Sequence, residues 1–150
     1  MNASEVLHMM DHKYALFGLF FAFHNRLQAV GDSFYEEITC KQFFLMACMN
    51  LFQGELPTVQ DLAEVMGSSH QNVKQILLKL EKKEFVEIVP DSNDKRKQRV
   101  ILTEKCMQFC NDNDDKSTMV MKSMFEGITQ EQLQVTIQTI IQMEHNLKRI

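Results

Sequence analysis

Two clusters of side chains in this chain are suited to donating hydrogen bonds rather than to breaking covalent ones. The first is Ser68, Gln71, Asn72, Lys74, Gln75 and Lys79, within GSSHQNVKQILLKL. The second is Asp94, Lys95, Arg96 and Lys97, within PDSNDKRKQR. Carboxamides pair with base edges, while ammonium and guanidinium groups reach phosphate oxygens or enter a narrow minor groove. Asp94 is out of place in a phosphate-binding loop unless its carboxylate orients Arg96 through a charge-assisted hydrogen bond. The same residues also fit plainer roles, a solvated helix face and a flexible charged surface loop.

The elements around the two clusters favour recognition over mere solvation. Thr58 follows Pro57 and precedes Asp61 by three positions, which suits a helix start. Leu62, Ala63, Val65 and Met66 supply that helix's apolar side, and Gly67 ends it where a left-handed residue costs least. Ser68 and Gln71 then form a capping box for a second helix. Val73, Ile76, Leu77 and Leu80 give it one buried stripe, so Gln71, Lys74, Gln75, Leu78 and Lys82 face the other way. Two β-branched runs, 86–89 and 99–102, flank the turn-rich loop that carries the cations, with Arg99 at its far end. Helix, glycine turn, helix and hairpin is the order of a winged helix-turn-helix, whose second helix enters the DNA major groove. The expected fold class is mainly α with a small β-hairpin wing, flanked by dimerisation helices.

Several residues also resemble a known family. Leu80-Glu-Lys-Lys83, Phe85-Val86, Asp91, Asp94-x-Arg96 and Leu102-Thr-Glu-Lys105 are similar to the MarR family of winged-helix regulators, over nearly the whole chain. The resemblance implies that 1–150 is a single MarR-like subunit. Residues 39–103 would be the DNA-binding lobe, and 1–32 with 104–150 the helical dimerisation lobe. It also implies that Arg96 is the minor-groove arginine, Asp94 its orienting partner, and 69–83 roughly the recognition helix. The chain departs from the family in two places. Glu84 stands where glycine is usual, and Gln75 stands where many members carry arginine.

Composition bounds the alternatives. The net charge is −4, yet residues 70–105 hold nine basic and six acidic side chains, a local balance of +3. A local basic patch matters more to DNA than the overall charge. Cys40, Cys48, Cys106 and Cys110 lack zinc-type spacing, nothing resembles a secretion signal, and no apolar run approaches a membrane span. A cytoplasmic location, no membrane and no cofactor are therefore expected. No nucleophile elbow, phosphate-cradling glycine loop or HExxH run is present, so an enzyme is not expected. His8 and His12 are spaced to share a metal but have no second ligand cluster, so no metal is assigned.

The flanks read as amphipathic helices, the first from Ser4 to about Val30 with Met10, Tyr14, Phe17, Phe20, Phe21, His24 and Leu27 in register. Thr39 can cap a mostly apolar helix, KQFFLMACMNLFQ. Thr103 can cap a long one running towards Phe125, which Gly127 breaks, and Thr129 with Gln132 can cap the last. Their stripes either close a monomer's core or join a second copy. A homodimer would set two recognition helices about one DNA turn apart on a pseudo-palindromic operator, as a regulator acting chiefly as a repressor. By the same resemblance a small aromatic or phenolic effector would sit between the lobes. Phe17, Phe21, His24, Met46 and Asn50 would line that pocket, though ordinary core residues read the same way. Cys40, at a helix N-terminus that lowers thiol pKa, is the redox candidate. The alternative to specific DNA binding is a winged-helix protein-interaction module.

Overall fold

A computed structural model describes residues 3–150, so the first two positions of the expected 1–32 lobe lie outside the described residues. Among the described residues, eight helices and two strands follow in the order α1 (Ala3–His8), α2 (His12–Phe34), α3 (Cys40–Met49), α4 (Val59–Met66), α5 (His70–Lys82), β1 (Val86–Pro90), β2 (Gln98–Leu102), α6 (Glu104–Asp112), α7 (Asp114–Met124) and α8 (Gln130–Leu147). This is the expected mainly helical chain with one antiparallel hairpin.

Local chemistry explains where the elements begin and where they depart from the sequence pattern. The expected first helix divides at Asp11, whose carboxylate accepts the Lys13 N–H at 2.9 Å and starts α2 afresh. Capping boxes begin α3 at Thr39–Gln42, α4 at Thr58–Asp61 and α8 at Thr129–Gln132. The helix expected from Thr103 towards Phe125 breaks at Asn113. The Asn113 side chain donates to the Phe109 carbonyl at 2.9 Å, and its backbone N–H is shared between Phe109 and Cys110. That local bonding competes with the helical ladder and leaves α6 and α7 separate.

The chain forms two compact units, one running to Met107 and one from Gln108 to Ile150. In the first, α3 packs on α4 and α5, α4 on α5, and the hairpin on both α4 and α5. Leu45, Leu62, Val73, Leu77, Leu80, Phe85, Val86, Val100 and Cys106 are its fully buried side chains. Strands β1 and β2 pair from Val86–Leu102 to Pro90–Gln98. Thr58 bridges to Arg99, and the Val100 N–H donates to the Pro57 carbonyl at 3.0 Å, so the approach to α4 adds a short third rung. In the second unit α7 and α8 have no buried residue, and Val135, Ile137, Ile141 and Leu147 of α8 are exposed.

Candidate nucleic-acid interface

Helices α4 and α5 meet through a three-residue turn, residues 67–69. Gly67 sits at φ 60°, its N–H donating to Glu64 and the Ser68 N–H to Ala63 at 3.0 Å. This is a Schellman closure, in which glycine is the least costly residue at the left-handed position. It also moves the expected cap by one residue. With the Ser68 N–H committed to closing α4, Ser69 becomes the N-cap of α5, and its hydroxyl accepts the Asn72 N–H at 3.2 Å. Ser68 is half-buried in the turn.

The outward face of α5 is the one the sequence pattern indicates. Val73, Leu77 and Leu80 are buried, while Gln71, Asn72, Gln75, Leu78 and Lys79 are exposed and Lys74 is half-buried beside them. The helix ends at the residue where the chain lacks the family's glycine. Glu84 takes φ 63° and still completes a Schellman closure, its N–H donating to Glu81 at 2.9 Å and the Phe85 N–H to Leu80 at 3.0 Å. A β-carbon in that region costs of order 1 kcal/mol. Neighbouring bonds hold it there. Thr103 Oγ1 donates to the Glu84 carbonyl at 2.6 Å, and Lys105 Nζ donates to the Lys83 carbonyl at 2.9 Å and lies 3.4 Å from the Glu84 carboxylate.

The wing carries Lys95, Arg96 and Lys97 at its exposed tip. Asp94 accepts three bonds from Arg96: its backbone N–H and Nε on Oδ1, both at 3.1 Å, and Nη2 on Oδ2 at 3.3 Å. The side chain–side chain pair is a fork on a carboxylate, which fixes the guanidinium plane as well as its position. Arg96 is nevertheless 91% exposed, so the guanidinium is oriented and still open to a partner. The Arg96 guanidinium and backbone N–H hold the Asp94 carboxyl below the usual carboxylate range.

Two residues beneath the tip, outside the recognition clusters of the sequence pattern, build this arrangement. Asp91 is buried. Its Oδ1 accepts the N–H groups of Asn93 and Asp94, both at 2.8 Å, and Oδ2 accepts Arg99 Nε at 2.5 Å. The Arg99 bond, then the Asp94 and Asn93 N–H groups, pull the Asp91 carboxyl down to about 2. Arg99 Nη1 also donates to the Leu56 carbonyl. Arg99 thus faces inward, although the sequence places it at the end of the basic loop. Asp91 had a legible signal, since an aspartate followed by Ser92-Asn93-Asp94 is an Asx-turn former.

The remaining site residues are dispersed. Phe17 and Phe21 pack edge to face at 5.2 Å on an exposed stretch of α2, and His24 is exposed one turn on. Met46 is buried on α3, and Asn50 is the exposed C-cap of that helix. An open surface depression of about 490 Å³ lies against Ile128, Glu131, Gln132, Val135 and Thr136. Cys40 begins α3, but burial and then the Asp32 carboxylate push its thiol up, opposite to the effect expected of a helix N-terminus. Its Sγ also lies only 2.5 Å from where a β-carbon on Gly31 would stand. Among the described residues no group of three His, Cys, Asp or Glu is placed to hold a metal, and no helix is long and apolar enough to cross a membrane.

Known proteins share this architecture. The MarR family model matches residues 38–97. A MarR/EmrR family transcriptional regulator from Acinetobacter sp. ADP1 superposes with a TM-score of 0.80 at 16% identity, covering 94% of this chain and 100% of that one. The S. aureus MepR–DNA complex superposes at 0.77 with 18% identity, covering 92% and 99%. Bordetella bronchiseptica BpsR, described for regulation of its DNA binding by 6-hydroxynicotinic acid, superposes at 0.71 with 16% identity, covering 85% and 91%. No curated protein sequence matches the chain.

Proposed function

We propose that this chain, which the MarR family model matches over residues 38–97 and whose fold solved MarR-type regulators share, is a regulator of that family that binds DNA sequence-specifically. The observation that carries the proposal is Arg96, held in a fork by Asp94 yet almost wholly exposed at the tip of the wing. An arginine anchored in this way loses little freedom on entering a narrow minor groove, and such orientation has little use in a loose protein contact. Gln71, Lys74 and Gln75 on α5 would read base edges in the major groove. Ser68, Asn72 and Lys79 would flank them on phosphates, and Lys95 and Lys97 would assist Arg96.

The acting species would be a homodimer on a pseudo-palindrome, repressing by occupancy from the cytoplasm. Support comes from apolar side chains that one chain leaves uncovered: Tyr14, Phe17, Phe21 and Phe23 on α2, and Val135, Ile137, Ile141 and Leu147 on α8. Exposed apolar stripes of that kind, one on each helix, mark association. The lobes 39–103 and 1–32 with 104–150 would divide DNA contact from dimerisation. A small aromatic effector would shift the spacing of the two recognition helices, a change of a few kcal/mol in a two-state balance. BpsR, with its aromatic acid, supports the effector class, and the exposed Phe17–Phe21 pair is the aromatic surface here on which to look for it.

The test is competition binding with Arg96→Ala and Gln75→Ala against a preferred and a scrambled duplex. Each variant is expected to lose roughly 1–3 kcal/mol on the preferred duplex, with relaxed discrimination. Unchanged affinity and preference in both variants would refute the docking.

A further inference from the structure

We propose that Asp91 and Arg99 are positioning residues that set where Arg96 stands relative to the helix-turn-helix, which rests on the DNA-binding reading above. The connection is continuous in hydrogen bonds. The Leu56 carbonyl, just before the Pro57–Thr58 start of α4, accepts Arg99 Nη1. Arg99 Nε donates to Asp91 Oδ2, and Asp91 Oδ1 accepts the N–H of Asp94 at 2.8 Å. The Asp94 carboxylate then holds Arg96. Two further bonds close the loop, from the Asp91 N–H to Lys97 at 2.9 Å and from the Lys97 N–H to Asp94 at 2.9 Å.

Arg99 and Arg96 therefore divide the work that the basic run suggests they share. Only 33% of the Arg99 side chain is exposed, against 91% for Arg96, and two of its nitrogens are committed to protein acceptors. A seven-residue loop between Pro90 and Gln98 has ample backbone freedom of its own. A buried carboxylate gathering two backbone N–H groups and a guanidinium removes that freedom before DNA arrives, so less ordering cost falls on binding. Because Leu56 adjoins the residues that pair with β2, the wing tip is referenced to the beginning of α4.

Simple electrostatics gives the opposite expectation, which makes the inference testable. Removing the Asp91 charge from a DNA-facing lobe should tighten binding if only net charge counts. The probe is a duplex that the wild-type chain selects from a random-sequence pool. We expect Asp91→Ala to weaken binding to it roughly tenfold, the scale of one lost contact. In an Arg96→Ala background the same change should cost almost nothing further. Asp91→Asn, which keeps the shape, should lose less. Arg99→Gln should weaken binding without the fall of about 0.9 in salt slope that a lost phosphate contact produces. Amide exchange in the DNA-free protein supplies an independent readout. Asn93 and Asp94 N–H groups should be protected in the wild type and freed in Asp91→Ala, with Val100 unchanged.

Tighter binding by Asp91→Ala, or equal losses with and without Arg96, overturns the proposal. Loss of Val100 protection in Asp91→Ala assigns that variant's defect to the core and passes the decision to Asp91→Asn. A pool from which the wild type selects nothing strikes the DNA-binding reading itself, and protected Asn93 and Asp94 would then show that the clamp exists without that purpose.

Discussion

Thr103 is the residue whose removal should most clearly expose how the end of α5 is tied down. Its hydroxyl has two bonds: it accepts the Cys106 N–H at 3.2 Å, capping α6, and donates to the Glu84 carbonyl at 2.6 Å. Glu84 is the left-handed residue that ends the α5 closure. Thr103→Val keeps the shape and deletes both bonds. The cap is worth about 1 kcal/mol, and the second bond adds about 0.5–1.5 kcal/mol, towards the lower figure because Glu84 is exposed and water can replace it. The expected loss is therefore about 1.5 kcal/mol, or a fall in Tm of roughly 3–6 °C for a chain of this size. Urea unfolding at a single protein concentration measures it, since self-association would otherwise shift the midpoint. Thr103→Ser retains both bonds and should stay within about 0.5 kcal/mol of the wild type. A Val variant that close to wild type, or a Ser variant as damaged as Val, would show that the Thr103 hydroxyl does not hold the end of α5.

Two further outcomes follow from electrostatics at named groups. The Asp91 carboxyl is depressed from 3.8 to about 2, so its contribution to wing order is complete above pH 3.8 and is lost only as pH falls through about 2. Amide shifts of Asn93 and Asp94 followed by NMR should show a midpoint near 2, and one near 3.8 would contradict the Arg99 pairing. Burial and Asp32 raise the Cys40 thiol, whereas Cys110 is exposed on α6. Alkylation at neutral pH followed by mass spectrometry should label Cys110 well before Cys40. Faster labelling of Cys40 would support the redox alternative.

What the sequence conveys here depends on how local the determining physics is. The caps at Thr39, Thr58 and Thr129 and the apolar stripe Val73–Leu77–Leu80 involve residues within one or two helical turns, and both are legible from spacing alone. The Ser68-to-Ser69 shift is not, because both serines satisfy a cap rule and only the closing bond of α4 selects one. Asn113 likewise reads as a tolerable helix residue until its side chain is seen on the Phe109 carbonyl. At the wing, Asp94 with Arg96 is a two-residue relation and was visible. Arg99 bonds to Leu56, far back in the chain, so its inward turn is a tertiary fact that a basic run conceals. The aromatic and methionine residues proposed for an effector share a helical register with any core stripe, and register says nothing about a cavity.

Whether this chain reads DNA sequence is decided by fluorescence anisotropy with a duplex from its own upstream region, against a scrambled duplex, across a salt series. A sequence-reading regulator binds the native duplex more tightly and loses affinity steeply with salt, about 0.9 log units per log unit of salt for each phosphate neutralised. Failure to bind either duplex even at low salt would exclude that role and favour a winged helix that docks on protein.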